Sequence, residues 1–291
     1  MHLACLFPGQ GSQSKGMGAS LFDRFPDWTA EADTILGYSI RELCVDDPSG
    51  RLGSTAFTQP ALFVVNALTY RARAQDGGAA PAYFAGHSLG EYNALVAAGV
   101  FDFATALRLV RRRGDIMGRV SGGGMSAVVA LEPARIEDVL ASTDAGRRLD
   151  VANFNSFEQT VIAGPLEDLA AVKPDLQAAG ARVIPLKVSA PFHSRYMRDA
   201  QVEFSADLGR ASFGPMQVPV VANVTARPYA MSEAEARDTL ARQIDHSVRW
   251  LDTMCYLLDE GVTTFEEVGP GTVLTKLAAQ IQRSRSGLET F

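Results

Sequence analysis

Ser88 lies in Gly86-His87-Ser88-Leu89-Gly90, a G-x-S-x-G pattern that suits a sharp turn from a strand into a helix with the serine at its tip. A side chain at Gly86 or Gly90 would collide with neighbouring backbone where the chain doubles back. The flanks agree. Ala82-Tyr83-Phe84-Ala85 is short and apolar, as a buried strand should be. Leu89 to Ala98 is rich in helix formers and is stopped by Gly99. Ser88 would then sit at a helix N-terminus, where free N–H groups and the helix dipole favour a developing oxyanion. The Leu89 N–H, immediately after the serine, is the first candidate donor to that oxyanion; one more is needed.

A serine needs a base to take its proton. The chain has four histidines, at positions 2, 87, 193 and 246. His2 is near the terminus, and His87 adjoins the serine, so in such a turn its side chain should point away. His193 and His246 remain. His193, in a Pro-Phe-His-Ser loop just past a strand end, is favoured over His246, which lies between two helices. No carboxylate stands out as a third member. A backbone carbonyl orients an imidazole equally well, so a Ser–His dyad is the expectation.

Arg113 is the third chemically notable residue. Asp102 reads as the N-cap of a helix running to about Val120, whose apolar positions are Ala106, Leu109, Val110, Ile116 and Met117. At about 100° per residue these share one face, and Arg113 falls near its middle, while Arg111 and Arg112 point elsewhere. A lone buried cation is costly, so Arg113 must be paired. Its partner is either an internal Asp or Glu or a substrate carboxylate held bidentately.

These residues have to be positioned by strands and helices. Leu3 to Phe7 reads as a buried strand. It leads into the glycine-rich loop Pro8-Gly9-Gln10-Gly11-Ser12-Gln13 and a helix from about Met17 to Phe25. A loop at the end of a core strand is where α/β proteins build sites, but no G-K-[ST] follows, which excludes a P-loop. Residues 26–80 look helical, with a buried helix over Ala61 to Leu68 after Thr58-Gln59-Pro60. After Ser121-Gly122-Gly123-Gly124 comes strand Met125–Leu131, helix Pro133–Ser142, strands Leu149–Phe154 and Thr160–Ala163, helix Leu166–Ala179 and strand Arg182–Val188. That β-α-β-β-α-β order is ferredoxin-like. Beyond Ser189 the chain predicts a long helix to about Leu208, strand Pro219–Val224, helix Glu233–Ile244, a helix over 251–259 and a last strand Thr263–Val268. The expected architecture is therefore α/β: a large domain of residues 1–121 and 189–291, interrupted by a small ferredoxin-like domain of residues 122–188.

Composition bounds the function. The 291 residues are 47% apolar and 21% charged, ordinary for a globular protein with a sizeable core. A net charge of −6 argues against non-specific nucleic-acid binding. No window is apolar enough to span a bilayer, and the N-terminus meets Pro8 and Gly9 too early for a signal peptide. Three separated cysteines, Cys5, Cys44 and Cys255, with no C-x-x-C, fit a reducing cytoplasm. The histidines form no metal-ligand pattern, and no metal is expected.

Several further motifs carry a resemblance. Phe7-Pro8-Gly9-Gln10-Gly11-Ser12-Gln13, Thr58-Gln59-Pro60-Ala61, Gly86-His87-Ser88-Leu89-Gly90-Glu91, Arg113-Gly114, Asn153-Phe154-Asn155-Ser156 and Glu267-Val268-Gly269-Pro270-Gly271 occur in one order over nearly the whole chain. The set resembles the malonyl-CoA:acyl carrier protein transacylases, most of all the free-standing trans-acyltransferases of polyketide synthases (the disorazole synthase type), with the fatty-acid enzymes close behind. The resemblance implies a hydrolase-like core with a parallel sheet plus the inserted ferredoxin-like domain. It also implies transfer of malonyl from malonyl-CoA, through a malonyl-serine ester on Ser88, to the phosphopantetheine thiol of an acyl carrier protein. No cofactor of the enzyme's own is implied, and a monomer is expected.

Residue by residue, the resemblance makes His193 the base, Gln243 the residue whose backbone carbonyl orients it, Arg113 the grip on the malonyl carboxylate, and Gln10 and Leu89 the oxyanion hole. Two positions are compared with the family pattern, and one of them, Phe192, bears on selectivity. Phe192 before His193 resembles the malonyl-selective form, its ring crowding a 2-methyl branch. Asn155-Ser156-Phe157 departs from the family's Asn-Ser-Pro. The alternatives are a thioester hydrolase on the same scaffold, to which a carboxylate-binding Arg113 would be of no use, and a non-catalytic carrier-protein-docking module. Carrier proteins are acidic, which makes Arg182, Lys187, Arg195 and Arg198 candidate docking cations.

Overall fold

The computed structural model describes residues 2–230 and 232–287. Strand β1 (His2–Phe7) is the centre of the larger part, and Ala4 to Phe7 are fully buried, as a parallel strand covered on both faces must be. Helices α1 (Ala19–Arg24), α2 (Pro26–Leu36), α3 (Ile40–Val45) and α4 (Thr55–Gln75) follow, then β2 (Tyr83–Gly86), α5 (Gly90–Ala97) and α6 (Phe103–Arg119). The chain returns to this part with α9 (Arg198–Leu208), β7 (Val220–Val221), α10 (Glu233–Arg242), α11 (Trp250–Asp259), β8 (Val262–Glu267) and α12 (Val273–Arg285); the strands and α-helices between α6 and α9 make up the second sheet and its two helices. The first sheet has the order β7-β2-β1-β8 and is parallel throughout, with Phe7 opposite Gly86 and Cys5 opposite both Phe84 and Glu266.

The second sheet is antiparallel and lies within residues 123–185. Strand β3 (Gly123–Val129), helix α7 (Pro133–Ser142), strands β4 (Asp150–Ser156) and β5 (Gln159–Pro165), helix α8 (Leu166–Ala178) and strand β6 (Arg182–Pro185) follow the expected β-α-β-β-α-β order. The spatial order is β4-β5-β3-β6, every neighbouring pair antiparallel. Val128, Ile136, Ile162, Val172 and Leu176 form its own core. The second sheet is tied to the segment that leads into α11: the Phe154 N–H donates to the Val248 carbonyl, and the Val248 N–H to the Ala152 carbonyl.

Four elements differ from the sequence expectation, each for a local reason. Helix α4 starts at Thr55, five residues before Pro60, which it contains. Pro60 forfeits only the bond to Ala56 in a helix otherwise buried from Thr58 to Leu68. Strand β7 keeps two residues, because the next N–H groups leave the sheet: Ala222 donates to the Arg227 carbonyl and Asn223 to a Glu91 carboxylate oxygen. Strand β6 stops at Pro185: the Leu186 N–H still donates to the Met125 carbonyl, and the chain then turns on itself, the Val188 N–H donating to the Leu186 carbonyl. Helix α12 lies beyond the last element expected, after Gly269-Pro270-Gly271, and packs Leu274, Leu277 and Ile281 against α11 and β8.

Candidate active site

The turn between β2 and α5 has the predicted geometry. Ser88 has φ 51°, a left-handed conformation costly for a residue with a Cβ. The glycines on either side permit it. A Cβ on Gly86 would lie 2.0 Å from the Gly90 carbonyl carbon, and one on Gly90 would lie 2.0 Å from the Phe7 carbonyl oxygen. His87 points away as expected, its Nε2 2.9 Å from Asn155 Oδ1 and its ring 5.5 Å from that of Trp250.

His193 reaches the serine, and His246 does not. The Ser88 Oγ to His193 Nε2 distance is 2.8 Å, and His193 Nδ1 lies 2.8 Å from the Gln243 backbone carbonyl oxygen. That carbonyl can only accept, so Nδ1 carries the proton and Nε2 is free to receive one from Ser88. The loop that presents His193 is strained as well, with φ 57° at the histidine. His246 instead turns its Nδ1 to Asp245 and the Arg242 carbonyl. Burial pushes the His193 pKa down to about 3, aided by the charge of Arg113, so the imidazole is neutral at neutral pH.

Helix α6 begins with Asp102 accepting from the Thr105 N–H and buries the predicted face, with Arg113 1% exposed at its centre. Among the described residues Arg113 has no carboxylate within ion-pairing distance. Its Nη1 donates to Gln59 Oε1 at 2.7 Å, and its Nη2 donates to Gln243 Oε1 at 2.8 Å and to Ser88 Oγ at 3.1 Å. Its plane also lies over the Tyr92 ring, 5.5 Å from the centroid, and Nε is buried without a partner. The internal acidic partner that pattern alone allowed is absent among the described residues. A buried guanidinium held only by neutral groups, touching the serine, is set to receive an anion.

Ser88, Leu89, Gln10, Arg113, Phe192 and His193 share one cavity of about 110 Å³ at the junction of the two sheets. The Gly9–Gln10 loop closes on the turn: a Cβ on Gly9 would meet the His87 carbonyl oxygen at 2.3 Å and lies 3.7 Å from the Leu89 nitrogen. Neither the Gln10 nor the Leu89 backbone N–H has an acceptor among the described residues. Phe192 is 6% exposed and its ring faces this cavity. Phe157 packs with Phe154 against the Trp250 cluster.

The sequence reading missed Asn223 and the inner shell behind the turn. Asn223 is fully buried; its Oδ1 accepts from the Ser88 N–H at 2.7 Å and its Nδ2 donates to the Gly86 carbonyl at 2.6 Å. An asparagine at the end of a core strand was the available signal. Gln243, expected only through its carbonyl, also uses its side chain: Nε2 donates to the Ser88 carbonyl at 2.7 Å and to Glu91 Oε2 at 2.5 Å.

Of the four candidate docking cations, Arg195 pairs with Asp150 and Arg198 with Asp245. Arg182 and Lys187 make no ion pair among the described residues. Among the described residues there is no group of three or more His, Cys, Asp or Glu placed to hold a metal, and no helix is long and apolar enough to cross a membrane.

The chain matches the acyl transferase domain family over residues 5–290. It is 50% identical to the polyketide biosynthesis malonyl CoA-acyl carrier protein transacylase BaeC of Bacillus velezensis, across 95% of this chain and 96% of that protein. It is also 50% identical to the polyketide biosynthesis protein ThaF of Burkholderia thailandensis, across 99% of this chain but only 25% of that longer protein. Among solved structures, a malonyl-transacylase in complex with a type II polyketide synthase acyl-carrier protein superposes with a TM-score of 0.92, at 40% identity over 97% of this chain and 93% of that one.

Proposed function

The chain belongs to the acyl transferase domain family, with the malonyl CoA-acyl carrier protein transacylases, and from that premise we propose that it moves malonyl groups from malonyl-CoA to an acyl carrier protein, in trans to a polyketide synthase. The observation that carries this reading is the double contact of Ser88 Oγ, with a neutral imidazole on one side and a buried guanidinium lacking a carboxylate on the other.

The steps follow from those contacts. The Ser88 Oγ–H gives its proton to His193 Nε2 as Oγ attacks the thioester carbonyl carbon. The resulting oxyanion is met by the open N–H groups of Leu89 and Gln10. Collapse breaks the C–S bond, and His193 returns its proton to the departing CoA sulfur. The malonyl-serine ester then reacts in reverse order. A phosphopantetheine thiol loses its proton to His193 and attacks the ester carbonyl, and Ser88 leaves with that proton. Arg113 holds the free malonyl carboxylate throughout, and Gln243 keeps the imidazole in the required tautomer through its carbonyl.

Residues 122–188 act in this reading as an inserted subdomain that roofs the cavity. Phe192 excludes a 2-methyl branch. Arg182 and Lys187, which make no ion pair among the described residues, meet the acidic carrier protein. The enzyme works as a cytoplasmic monomer with no cofactor beyond the thioester partners.

Intact-mass measurement tests the reading. A malonyl adduct on Ser88 after malonyl-CoA, which then moves to a phosphopantetheinylated carrier protein, is the expected result. An adduct lost to water with the carrier protein unloaded would instead indicate a thioester hydrolase. No adduct with any acyl donor would leave a non-catalytic docking module.

A further inference from the structure

We propose that Glu91 is a positioning residue whose carboxylate selects one of the two orientations of the Gln243 side-chain amide and thereby aims Arg113 at a carboxylated acyl group. The proposal rests on the acyltransferase reading and deepens it by assigning donor selectivity to a residue that need not touch the donor.

Glu91 is the second residue of α5, 1% exposed, behind the turn that carries Ser88. Both of its oxygens face donors. Oε1 accepts from the Asn223 N–H at 3.1 Å and from the Tyr229 hydroxyl at 2.6 Å, and Oε2 accepts from Gln243 Nε2 at 2.5 Å. An ionised carboxylate can only accept. Gln243 therefore turns its NH₂ toward Glu91, and the second hydrogen of that group reaches the Ser88 carbonyl. The amide oxygen is left pointing the other way, where it accepts from Arg113 Nη2 at 2.8 Å. The reverse orientation would set the Gln243 oxygen against two acceptors and its NH₂ against a guanidinium, leaving buried groups unpaired.

The same nitrogen, Nη2, contacts Ser88 Oγ. The orientation of one fully buried amide thus decides whether Arg113 is held at the serine. Glu91 also supplies a negative charge across Gln243 from a cation that has no closer carboxylate among the described residues. A glutamine at position 91 would keep the shape and lose the selection. Its own NH₂ could donate to a flipped Gln243, and the acceptor facing Arg113 would be replaced by a donor.

The test is the rate of Ser88 acylation by malonyl-CoA and by acetyl-CoA, read by intact mass in wild type, Glu91→Gln, Gln243→Leu and the double variant. The malonyl-to-acetyl ratio is expected to fall at least tenfold in Glu91→Gln. In the Gln243→Leu background, Glu91→Gln should change the ratio less than twofold, because the amide it acts through is gone. A ratio unchanged in Glu91→Gln, or losses that multiply in the double variant, would overturn the proposal. A merely structural role for Glu91 lowers both rates together and leaves the ratio where it was. If Glu91→Gln does not fold, the pH dependence of the wild-type ratio carries the test: a fall in the ratio as Glu91 gains its proton near pH 7 upholds the proposal, and a ratio flat from pH 8 to 6 overturns it. Wild type run alongside separates the two levels, since a missing malonyl adduct there removes the acyltransferase reading itself.

Discussion

Arg113 Nη2 donates to Ser88 Oγ at 3.1 Å from the centre of a buried helix face, so the residue expected to grip the acyl donor touches the residue expected to attack it. The distance ties substrate choice to chemistry. In the proposed reading, an acyl group whose free carboxylate is bound by this guanidinium presents its thioester carbon to the serine. Removing one member of a desolvated charge pair costs about 2–5 kcal/mol. Arg113→Ala should therefore slow acylation by malonyl-CoA by roughly 30-fold to several thousand-fold. Acylation by acetyl-CoA, which has no carboxylate to lose, should fall far less. Equal losses for both donors, measured by adduct formation, would make Arg113 structural.

The pH profile separates His193 from Glu91. His193 is held down to about 3, so it remains a base throughout pH 5–8 and adds no acid limb there. Burial raises Glu91 to about 7 against the pull of Tyr229, Gln243, Asn223 and the Arg113 charge; Tyr92 is the other titratable group beside this set. As pH falls through that value Glu91 gains a proton and loses its charge, and its hold on Gln243 weakens. Malonyl acylation should show an acid limb near pH 7 in wild type and none in Glu91→Gln, whatever that variant's absolute rate. A limb near pH 6.5 that persists in Glu91→Gln would mean that His193 titrates normally and is not the buried base described. The stability effects have opposite signs. Below pH 6.5 the unfolded His193 binds a proton that the folded one refuses, so stability declines. Between pH 7 and 4.5 the folded Glu91 binds a proton that the unfolded one lacks, so its burial costs less as acid is added.

Asn223 clamps the turn from below, through the Ser88 N–H and the Gly86 carbonyl. Asn223→Ala leaves both groups buried without partners, at about 1–3 kcal/mol for each. The melting temperature should drop, and acylation by malonyl-CoA and acetyl-CoA should slow together because the nucleophile itself is misplaced. A stable variant with one donor spared would show that Asn223 does not support Ser88.

How much of this was legible in the sequence depends on the range of the signal. The turn was readable because the G-x-S-x-G spacing is local, with Gly86 kept small by Gly90 four residues on, between a short apolar run and a helix-forming one. That Gly90 also answers Phe7, at the end of a strand far away in the chain, was not readable. Arg113 was readable because helical periodicity placed a cation among Leu109, Val110, Ile116 and Met117. His193 was favoured over His246 by its loop; Gln10 stood out only as a glutamine in a strand-end loop, its oxyanion-hole role coming from the family resemblance, as did Gln243 altogether. Asn223 and Glu91 were not readable as a pair. They lie 132 residues apart, and what joins them is an N–H that abandons the sheet for a carboxylate, shortening β7 to two residues. Helix α12 was missed because its mean pattern is polar and it follows a proline-glycine loop, although Leu274, Leu277 and Ile281 do share one buried face.

The two candidate docking cations that make no ion pair among the described residues give a prediction about the second half-reaction. Arg182 and Lys187 stand outside the cavity, whereas Arg195 and Arg198 are neutralised by Asp150 and Asp245. Reversing the first two, Arg182→Glu with Lys187→Glu, should leave adduct formation from malonyl-CoA within about twofold. It should raise the carrier-protein concentration needed for half-maximal unloading by tenfold or more at low salt, an effect that shrinks as ionic strength rises. Normal unloading in the reversed variant would move the docking surface elsewhere.

Phe192 is buried and lines the cavity together with His193 and Arg113. In the proposed reading, a 2-methyl branch on malonyl meets this ring. A single methyl group in such a pocket is worth about 1–3 kcal/mol, or roughly 10- to 200-fold in selectivity. Phe192→Ser should therefore raise methylmalonyl over malonyl acylation by up to that factor, mostly by gaining the larger donor. Arg113 still holds the shared carboxylate, so the malonyl rate should change less. Competition between equal concentrations of the two CoA esters, read as the ratio of the two Ser88 adduct masses, measures this directly. A ratio that does not move would mean that the ring fills space the acyl group never enters.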